Sequence, residues 1–302
     1  MSRLLARTCV PALAVIALAG CGSSSSTTST GSTNTTSKSA SSGEVSSVAA
    51  LVPAAVKSKG KLIVATEAQY APNEFIAPDG HTIIGMDADL MNALGAVMGL
   101  KIELVNSNFE AIIPGLAAGR YDIGASSFTD TKEREKVVDF VDYFSAGVSF
   151  YAKSSANPGV TGLADLCGKT VAVEKGTIEQ EAAEARNKTC TKEGKKGVSA
   201  LVFTGQNAVN LAVSSERAQL GMADSPVVAY QIKQANGAFK LIGKSYGFKP
   251  YGIAIPKTSG MTTPILAALK AIIANGTYHT ILSKWGLLEG AISAPATNGA
   301  SS

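Results

Sequence analysis

The chain has 302 residues, of which 27 are basic and 23 acidic, so its formal net charge is +4 at neutral pH. Hydrophobic residues make up 45% of the sequence, enough to bury the core of a globular protein. Removal of Arg3 and Arg7 with a leader would lower the charge to +2, which gives no support to nucleic-acid binding.

The first 20 residues have the pattern of a signal peptide. A basic start with Arg3 and Arg7 leads into an apolar stretch that is too short for a typical membrane span. The stretch ends in Leu-Ala-Gly-Cys at residues 18–21, which resembles the bacterial lipoprotein signal, where the cysteine is lipid-modified and becomes the mature N-terminus. An ordinary secretory peptide with an incidental cysteine is the alternative. We predict a signal peptide over residues 1–20 and lipidation of Cys21, which would anchor the protein outside the cytoplasm on a cell membrane.

Residues 21–47 are predicted to form a flexible tether, because they are almost entirely Ser, Thr, Gly and Asn and cannot bury a core. As a random coil of about 25 residues the tether would reach roughly 25–30 Å. At the other end we expect residues 290–302 to be a short disordered tail. The globular body between them is long enough for one large domain or two small ones.

Strand and helix patterns alternate through the body, which predicts βαβ units and mostly parallel sheets flanked by helices. Strand patterns occupy residues 61–66, 101–105, 121–126, 170–173, 199–203 and 218–223. Helix patterns occupy residues 87–98, 110–118, 177–187, 207–214 and 226–234. The fold class is therefore α/β.

Two segments of the chain have a similar pattern, which indicates two similar lobes that face each other across a cleft. Residues 116–126 and 211–224 each run from a helix end through a turn into a buried strand that ends in polar side chains. Chance similarity between two βαβ units is the alternative. Apolar segments at 147–152 and 251–255 are predicted to cross between the lobes as a hinge. This predicts a first lobe of residues 48–147 plus 250–289, to which the last two helices (262–275 and 278–285) return, and a second lobe of residues 148–249.

The end of one predicted strand suits a small carboxylate ligand. Hydroxyl-bearing residues at 126, 127 and 129 follow the buried strand, and Arg134 comes five residues after Thr129. In open α/β sheets ligands lie beyond the carboxyl ends of strands, and arginine offers two parallel N–H donors to a carboxylate. Arg134 could instead form a surface ion pair with Glu133 or Glu135.

Asp224 ends the matching strand of the second lobe and supplies an anion where Arg134 supplies a cation. A zwitterionic ligand is costly to desolvate unless both of its charges find partners, so the two lobes would each hold one pole. Asp224 could also cap the helix that begins near Pro226, and the two roles are compatible.

Cys167 and Cys190 are the only cysteines of the body, and outside the cytoplasm such a pair is usually oxidised. Free thiols or half of a metal site are the alternatives. The two histidines are far from both cysteines in sequence and no metal-ligand spacing is present, so we predict a disulfide, no metal and no cofactor.

From residue 61 to 288 the chain resembles the extracytoplasmic solute-binding proteins of ABC transporters, in the polar amino acid class (family 3). The matching stretches are ATEAQYAP (65–72), GMDADL (85–90), IIPGL (112–116), SSFTDTKER (126–134) and GKTVAV (168–173), followed by GT at 176–177 and by Asp224. The resemblance implies a two-lobed, type II periplasmic-binding-protein-like fold with two hinge crossings. It also implies a monomer that closes on a free amino acid and presents it to a membrane permease.

The resemblance also assigns roles to particular residues. Arg134 would bind the ligand α-carboxylate with Thr129 and the backbone around Ser127. Helix N-terminal N–H groups at Gly176 and Thr177 would assist, although Thr177 could act only as an N-cap.

The opposite pole and the side chain of the ligand would have their own partners. Asp224 would bind the α-ammonium, with an acceptor from the Ser127 region. Phe109 and Tyr70 would enclose the ligand side chain, and Glu67 would lie at its far end. The alternatives are that the two aromatic residues are ordinary core residues and that Glu67 is an ordinary solvated carboxylate.

Two departures from the family pattern leave the ligand open. Ile178 stands where relatives often carry a hydroxyl, and Lys175 stands where they are often uncharged. Glu67, with Glu179 as a second candidate, suits a basic or amide-bearing side chain. Two further functions remain as alternatives: an enzyme of the cyclohexadienyl dehydratase type, with Glu67 or Glu179 as its acid, and an amino-acid sensor that acts with a membrane receptor.

Overall fold

The computed structural model of the protein describes residues 45–301. The predicted signal peptide, the lipidation site Cys21 and most of the predicted tether lie outside the described residues. The last tether residues do not all extend freely, since a short helix begins at Ser46 and buries Val48 and Ala49.

The described chain alternates between strands and helices, as predicted. Its strands are β1 (Lys61–Thr66), β2 (Gln69–Tyr70), β3 (Glu74–Ile76), β4 (Ile83–Ile84), β5 (Lys101–Asn106), β6 (Ile123–Gly124), β7 (Val138–Lys153), β8 (Thr170–Glu174), β9 (Ser199–Phe203), β10 (Leu220–Asp224) and β11 (Phe239–Pro256). Its α-helices are α1 (Ser46–Ala49), α2 (Ala54–Lys59), α3 (Met86–Met98), α4 (Phe109–Ala117), α5 (Lys132–Glu135), α6 (Ile178–Lys192), α7 (Gln206–Ser214), α8 (Ser225–Gln234), α9 (Thr262–Ala274) and α10 (Thr277–Trp285).

Eight strands form one large sheet in the order β5-β1-β6-β11-β7-β10-β8-β9. The outer strands on both sides are parallel: β5, β1 and β6 at one end, and β10, β8 and β9 at the other. The two central strands run antiparallel to each other and to their neighbours. The predicted parallel units are therefore present, and β2, β3 and β4 form a separate small sheet.

The long strands β7 and β11 carry the chain across the middle of the molecule in both directions. Residues 138–146 of β7 pair with 249–256 of β11, and residues 148–153 pair with 239–246. The pairing is irregular between Ile242 and Lys249, where the register shifts twice. The crossing segments predicted at 147–152 and 251–255 are therefore parts of longer strands, β7 and β11.

Hydrophobic cores lie on both sides of this crossing. One core draws its residues from Val48 to Ala146 and from Tyr251 to Leu287, including the buried faces of α3 and α9. A second draws on Val148 to Ile242 and includes Cys190. The two cores define a first and a second lobe, and we propose on this basis that the lobe boundaries lie near residues 147 and 250.

The C-terminal residues differ from the expected disordered tail. Residues 291–298 lie along β7 and pair with it through Asp142 N–H to Ala296 O (2.9 Å) and Asn298 N–H to Phe140 O (3.1 Å). In the first lobe β7 pairs with β11 on one edge only, so its other edge leaves backbone groups that the tail satisfies. The expectation of disorder was wrong because the composition of the tail does not reveal this open edge.

The disulfide between Cys167 and Cys190 is confirmed, with an S–S distance of 2.05 Å, and it joins the segment before β8 to α6. Within residues 45–301 no single helix is long and apolar enough to cross a membrane, and the pair α9 and α10, which reaches that length together, is bent by 79°.

Candidate functional site

One cavity lies between the lobes at the carboxyl ends of β1, β6, β8 and β10. All eight of the predicted ligand-binding residues line it, and the space free of protein atoms, including the part open to solvent, is about 300 Å³. The full lining consists of Glu67, Tyr70, Glu74, Phe109, Ser126, Ser127, Thr129, Arg134, Glu174, Thr177, Ile178, Glu179 and Asp224. The fold therefore brings together residues that lie as far as 157 positions apart in the sequence.

Arg134 is held at one end of the cavity by hydrogen bonds to both lobes. Thr131 caps the short helix α5 by accepting the Arg134 backbone N–H at 3.2 Å. The guanidinium donates to Thr129 O at 2.8 Å in the first lobe and to Gly176 O at 2.9 Å in the second. These two bonds leave further N–H donors of the guanidinium for a ligand, because arginine has five.

Two aromatic rings support the same guanidinium. Its central carbon lies 5.4 Å from the centroid of Phe109 and 5.6 Å from that of Phe128, and the two rings stack 4.5 Å apart. The alternative of a surface ion pair is wrong, since Glu133 and Glu135 bind neighbouring lysines and no carboxylate of the described chain lies within 4 Å of Arg134. Phe109 thus has a place in the cavity wall as well as a packing partner.

Tyr70 and Asp224 join the lobes at another wall of the cavity. The Tyr70 hydroxyl donates to Asp224 Oδ2 at 3.0 Å and accepts the Asp224 backbone N–H at 3.1 Å. Asp224 stands at the N-cap position of α8 but makes no side-chain capping bond, so the capping alternative is not adopted. Burial raises the pKa of Asp224 to about 6, although the nearby Tyr251 hydroxyl and the hydrogen bond from Tyr70 lower it.

Three glutamates form an acidic region of the cavity. Glu67, Glu174 and Glu179 are 2%, 3% and 2% exposed, so Glu67 is not the solvated carboxylate of the alternative. Both carboxylate oxygens of Glu67, and Oε1 of Glu174 and of Glu179, have no hydrogen-bond partner. Burial raises the pKa of Glu67 to about 7 and that of Glu174 to about 10, with the Glu67 charge as the next cause for Glu174. Burial also raises the pKa of Glu179 well above its usual range.

The two residues that depart from the family pattern, Ile178 and Lys175, lie differently with respect to the cavity. Ile178 lines the cavity, so an apolar group replaces the hydroxyl there. Lys175 is not part of the lining; its side chain is 55% exposed and lies 3.6 Å from Glu110 of the first lobe. Glu110 keeps one buried oxygen, Oε2, without a partner.

Thr177 acts as the N-cap of α6. Its hydroxyl accepts the Gln180 backbone N–H at 3.2 Å and donates to Glu174 O at 2.7 Å. The Thr177 hydroxyl therefore already has hydrogen-bond partners as donor and as acceptor. The groups that remain for a ligand here are the backbone N–H groups in the first turn of α6.

Ser126 and Ser127 are tied to buried carboxyl groups behind the cavity. Ser126 accepts the Glu67 backbone N–H at 2.9 Å and donates to Glu74 Oε1 at 3.0 Å. The Ser127 N–H donates to Asp87 Oδ2 at 2.8 Å, so Ser127 can offer a ligand an acceptor and not this donor.

Sequence reasoning did not identify Glu74 and Glu174 as cavity residues. The signal for Glu174 was present, because it ends a buried strand two residues before Gly176, as Asp224 ends its own strand. Glu74 carries no such signal, since it is the first residue of the short strand β3 and meets Ser126 only in the folded chain.

The charges of the cavity are unequal. Arg134 is its single cation among the described residues, whereas five lining residues are acidic: Glu67, Glu74, Glu174, Glu179 and Asp224. Glu67, Glu174 and Glu179 each keep at least one carboxylate oxygen without a hydrogen-bond partner. The described residues contain no group of three His, Cys, Asp or Glu side chains that could hold a metal ion. The arrangement fits an organic ligand with one carboxylate and more than one cationic group.

Comparison with known families and curated proteins gives consistent matches. Residues 62–288 match the family model of bacterial extracellular solute-binding proteins, family 3. The arginine-binding protein ArgT of Corynebacterium glutamicum is 35% identical over 247 residues, which cover 82% of this chain and 81% of that protein. The arginine-binding extracellular protein ArtP of Bacillus subtilis is 30% identical over 237 residues, covering 75% and 86%.

Solved structures with a similar fold include an ancestral arginine-binding protein bound to arginine, with a TM-score of 0.69 and 33% identity over 75% of this chain and 98% of that one. The ancestral amino acid-binding protein AncCDT-1, a precursor of cyclohexadienyl dehydratase, has a TM-score of 0.67 and 32% identity, covering 76% and 97%.

Proposed function

The chain belongs to the bacterial extracellular solute-binding proteins, family 3, and we propose on that premise that it binds a free basic amino acid, arginine before others, for an ABC transporter. It has the type II periplasmic-binding-protein fold of its structural neighbours, as the sequence predicted. Its relatives in this family are amino-acid-binding proteins of ABC transporters.

The excess of buried carboxylates in the cavity is the observation that carries the choice of a basic ligand. A neutral amino acid brings one carboxylate for Arg134 and one ammonium for Asp224, and it leaves Glu67 and Glu174 without partners. A ligand with a second cation supplies the missing partner, and buried charges are stable only when they are paired. Tyr70 and Phe109 would enclose the aliphatic part of the side chain.

The number of free acceptors favours arginine over lysine. Among the residues that line the cavity, Glu67 offers two unpartnered oxygens, and Glu174 and Glu179 offer one each. A guanidinium carries five N–H donors in a plane, whereas an ammonium carries three on one atom, so the guanidinium satisfies more of these oxygens. The similarity to arginine-binding proteins of two bacteria supports the same choice.

Closure of the lobes follows from the division of the site between them. Arg134 and Glu67 belong to the first lobe, and Asp224 and Glu174 to the second. A ligand that contacts both lobes binds the closed state more tightly than the open one and shifts the equilibrium toward closure.

The test is calorimetric titration of the full-length protein in mild detergent with the twenty amino acids, ornithine and citrulline. We expect one-to-one binding of arginine, weaker binding of lysine and ornithine, and the loss of at least tenfold in affinity for citrulline. Citrulline is the matched control, because it replaces the guanidinium with a neutral group of nearly the same shape. Equal affinity for arginine and citrulline would contradict a cationic side-chain site, and silence for all amino acids would contradict the proposed function.

We further propose that Cys21 is lipidated and that the anchored protein delivers its ligand to a membrane permease. The signal-like sequence at residues 18–21 supports the anchor, and the transporter relatives support the permease. Cys21→Ser should release the protein from the membrane fraction, and the wild type should co-purify with a permease from cross-linked membranes. A receptor as the captured partner would indicate a sensor instead.

An enzyme of the cyclohexadienyl dehydratase type remains the second candidate, because Glu174 is a buried acid held protonated in the cleft. The likeness to AncCDT-1 adds weight to it. We expect no aromatic product when the protein is incubated with prephenate or arogenate. Formation of an aromatic product that Glu174→Gln abolishes would favour the enzyme.

A further inference from the structure

We propose that Glu74 is a positioning residue of the amino-acid site: it remains a neutral carboxylic acid beside the Asp87 carboxylate, and the two side chains fix Ser127. The inference rests on the proposed function only in that Ser127 and its neighbours are taken to form the binding segment.

Ser127 has a backbone conformation that needs support. Its φ is +48°, in the left-handed region that side chains other than glycine rarely adopt. The Ser127 N–H is held by Asp87 Oδ2 at 2.8 Å. This residue precedes Phe128 and Thr129, so its conformation sets the course of the chain toward Arg134.

Glu74 binds both serines at the start of this segment. The Ser126 hydroxyl donates to Glu74 Oε1 at 3.0 Å, and the Ser127 hydroxyl donates to Glu74 Oε2 at 3.1 Å. The Asn73 side-chain amide donates to the Ser127 hydroxyl at 2.8 Å. Glu74 therefore orients two consecutive residues of the cavity wall through their side chains, while Asp87 orients the backbone.

The Glu74 and Asp87 carboxyls are buried against the same Ser127 hydroxyl, which lies 3.1 Å from Glu74 Oε2 and 3.4 Å from Asp87 Oδ2. Each residue is 1% exposed, and no lysine, arginine or histidine of the described chain forms a salt bridge with either. Two buried carboxyls that share one hydroxyl and have no cation beside them do not both ionise, so the pair holds a proton.

The hydrogen bonds to the two carboxyls favour the proton on Glu74. Asp87 accepts two short bonds, from Tyr143 at 2.7 Å and from the Ser127 N–H at 2.8 Å, and a longer one from the Ser127 hydroxyl at 3.4 Å, whereas the two bonds to Glu74 are 3.0 and 3.1 Å. Charge-assisted bonds are the shorter ones, so Asp87 carries the charge. The pKa of Glu74 is raised well above its usual range, first by burial and next by the Asp87 charge. This direction agrees with a proton on Glu74.

Two further titratable groups face this pair. Tyr143 lies on β7, and Glu67 directly follows β1; the Glu67 charge raises the pKa of Glu74 further. Neither is a cation that would favour ionisation of Glu74.

The backbone around the pair is rigid. Asn73 O accepts the Asp87 N–H at 2.8 Å, which fixes the start of α3 against the segment that carries Glu74. A Cβ on Gly85 would lie 2.1 Å from Asn73 O, and its φ is +130°, so only glycine permits this approach. Glu74 and Asp87 thus have little freedom to separate.

Three variants and one spectroscopic measurement test the proposal. In full-length protein, Glu74→Ala should weaken arginine binding by about tenfold or more, because buried serine groups lose their partner. Glu74→Gln keeps the neutral, hydrogen-bonding group and should recover most of that affinity. Glu103→Gln, on the outer edge of the sheet, is the control for the same chemical change. If Glu74→Gln binds arginine as weakly as Glu74→Ala, the positioning role is refuted.

Infrared difference spectra between the wild type and Glu74→Gln test the proton directly, without any ligand. The wild type should show a carboxylic acid band near neutral pH that is absent from the variant. If Glu74→Gln instead lacks a carboxylate band that the wild type shows, Glu74 is ionised in the wild type. That result would overturn the inference even if arginine binds. If the wild type binds no amino acid, the proposed function fails, and the spectrum still decides whether Glu74 is neutral.

Discussion

Replacing Glu67 with Gln should separate the charge of the proposed side-chain site from its shape. The substitution keeps a planar group of the same size at a position that is 2% exposed. It removes one charge from the protein, and the exchange of arginine for citrulline removes the complementary charge from the ligand. The two changes together form a thermodynamic cycle.

The pKa values indicate that Glu67, more than Glu174, pairs with the ligand cation. With a pKa of about 7, ionising Glu67 at pH 7 costs less than about 1 kcal/mol. With a pKa of about 10, ionising Glu174 costs about 4 kcal/mol. Truncating one partner of a buried charge pair costs roughly 2–5 kcal/mol, so Glu67→Gln should lose about 3 kcal/mol of arginine affinity, or about a hundredfold.

Calorimetric titration of the wild type and of Glu67→Gln, each with arginine and with citrulline, measures the affinities that make up the cycle. The affinity for citrulline should change by less than about threefold, because the citrulline side chain carries no charge that Glu67 could pair with. Glu216→Gln is the matched control, since Glu216 is a surface carboxylate paired with Lys153 outside the cavity. Equal losses for arginine and citrulline would refute the charge pairing, and unchanged arginine affinity would remove Glu67 from the site.

Three further predictions concern the carboxylate clamp, the pH dependence and the disulfide. Arg134→Ala should lose several kcal/mol of arginine affinity by calorimetry, because the ligand carboxylate then stays buried without its cation; a loss below about 0.5 kcal/mol would exclude Arg134 from the site. The raised pKa of Glu67, about 7, means that ligand-free protein binds a proton that arginine expels, so affinity should fall up to tenfold per unit as pH drops from about 7 to 5. Calorimetry in buffers of different ionisation enthalpy should show proton release, and uptake would contradict the sign. Cys167→Ser with Cys190→Ser opens a loop of 23 residues and should lower the free energy of unfolding in urea by about 3 kcal/mol while arginine still binds.

Much of the fold could be predicted because its signals are local. β1 and β9 have the predicted bounds, and α3, α4 and α7 begin within one residue of prediction, since hydrophobic period and caps are properties of short segments. The course of residues 291–298 could not be predicted. It depends on an unpaired edge of β7 that exists only after the sheet has formed.

In the candidate site, too, some features could be predicted from the sequence and others could not. Arg134 and Asp224 follow buried strands in a pattern visible in the sequence, so their convergence on one cavity could be expected. The contact of Glu74 with Ser126 spans 52 residues, and the pairing of Tyr70 with Asp224 spans 154. Such contacts follow from tertiary packing, and the sequence pattern around Glu74 is that of an ordinary surface acid.

A crystal structure of the protein grown with L-arginine is the most direct test of two lobes that share one dicationic amino acid. The prediction is that the ligand carboxylate contacts Arg134, its ammonium contacts Asp224 and its guanidinium lies against Glu67, all within the cavity between β1 and β10. Arginine bound elsewhere, or bound there with its guanidinium in solvent and Glu67 without a ligand contact, would contradict it.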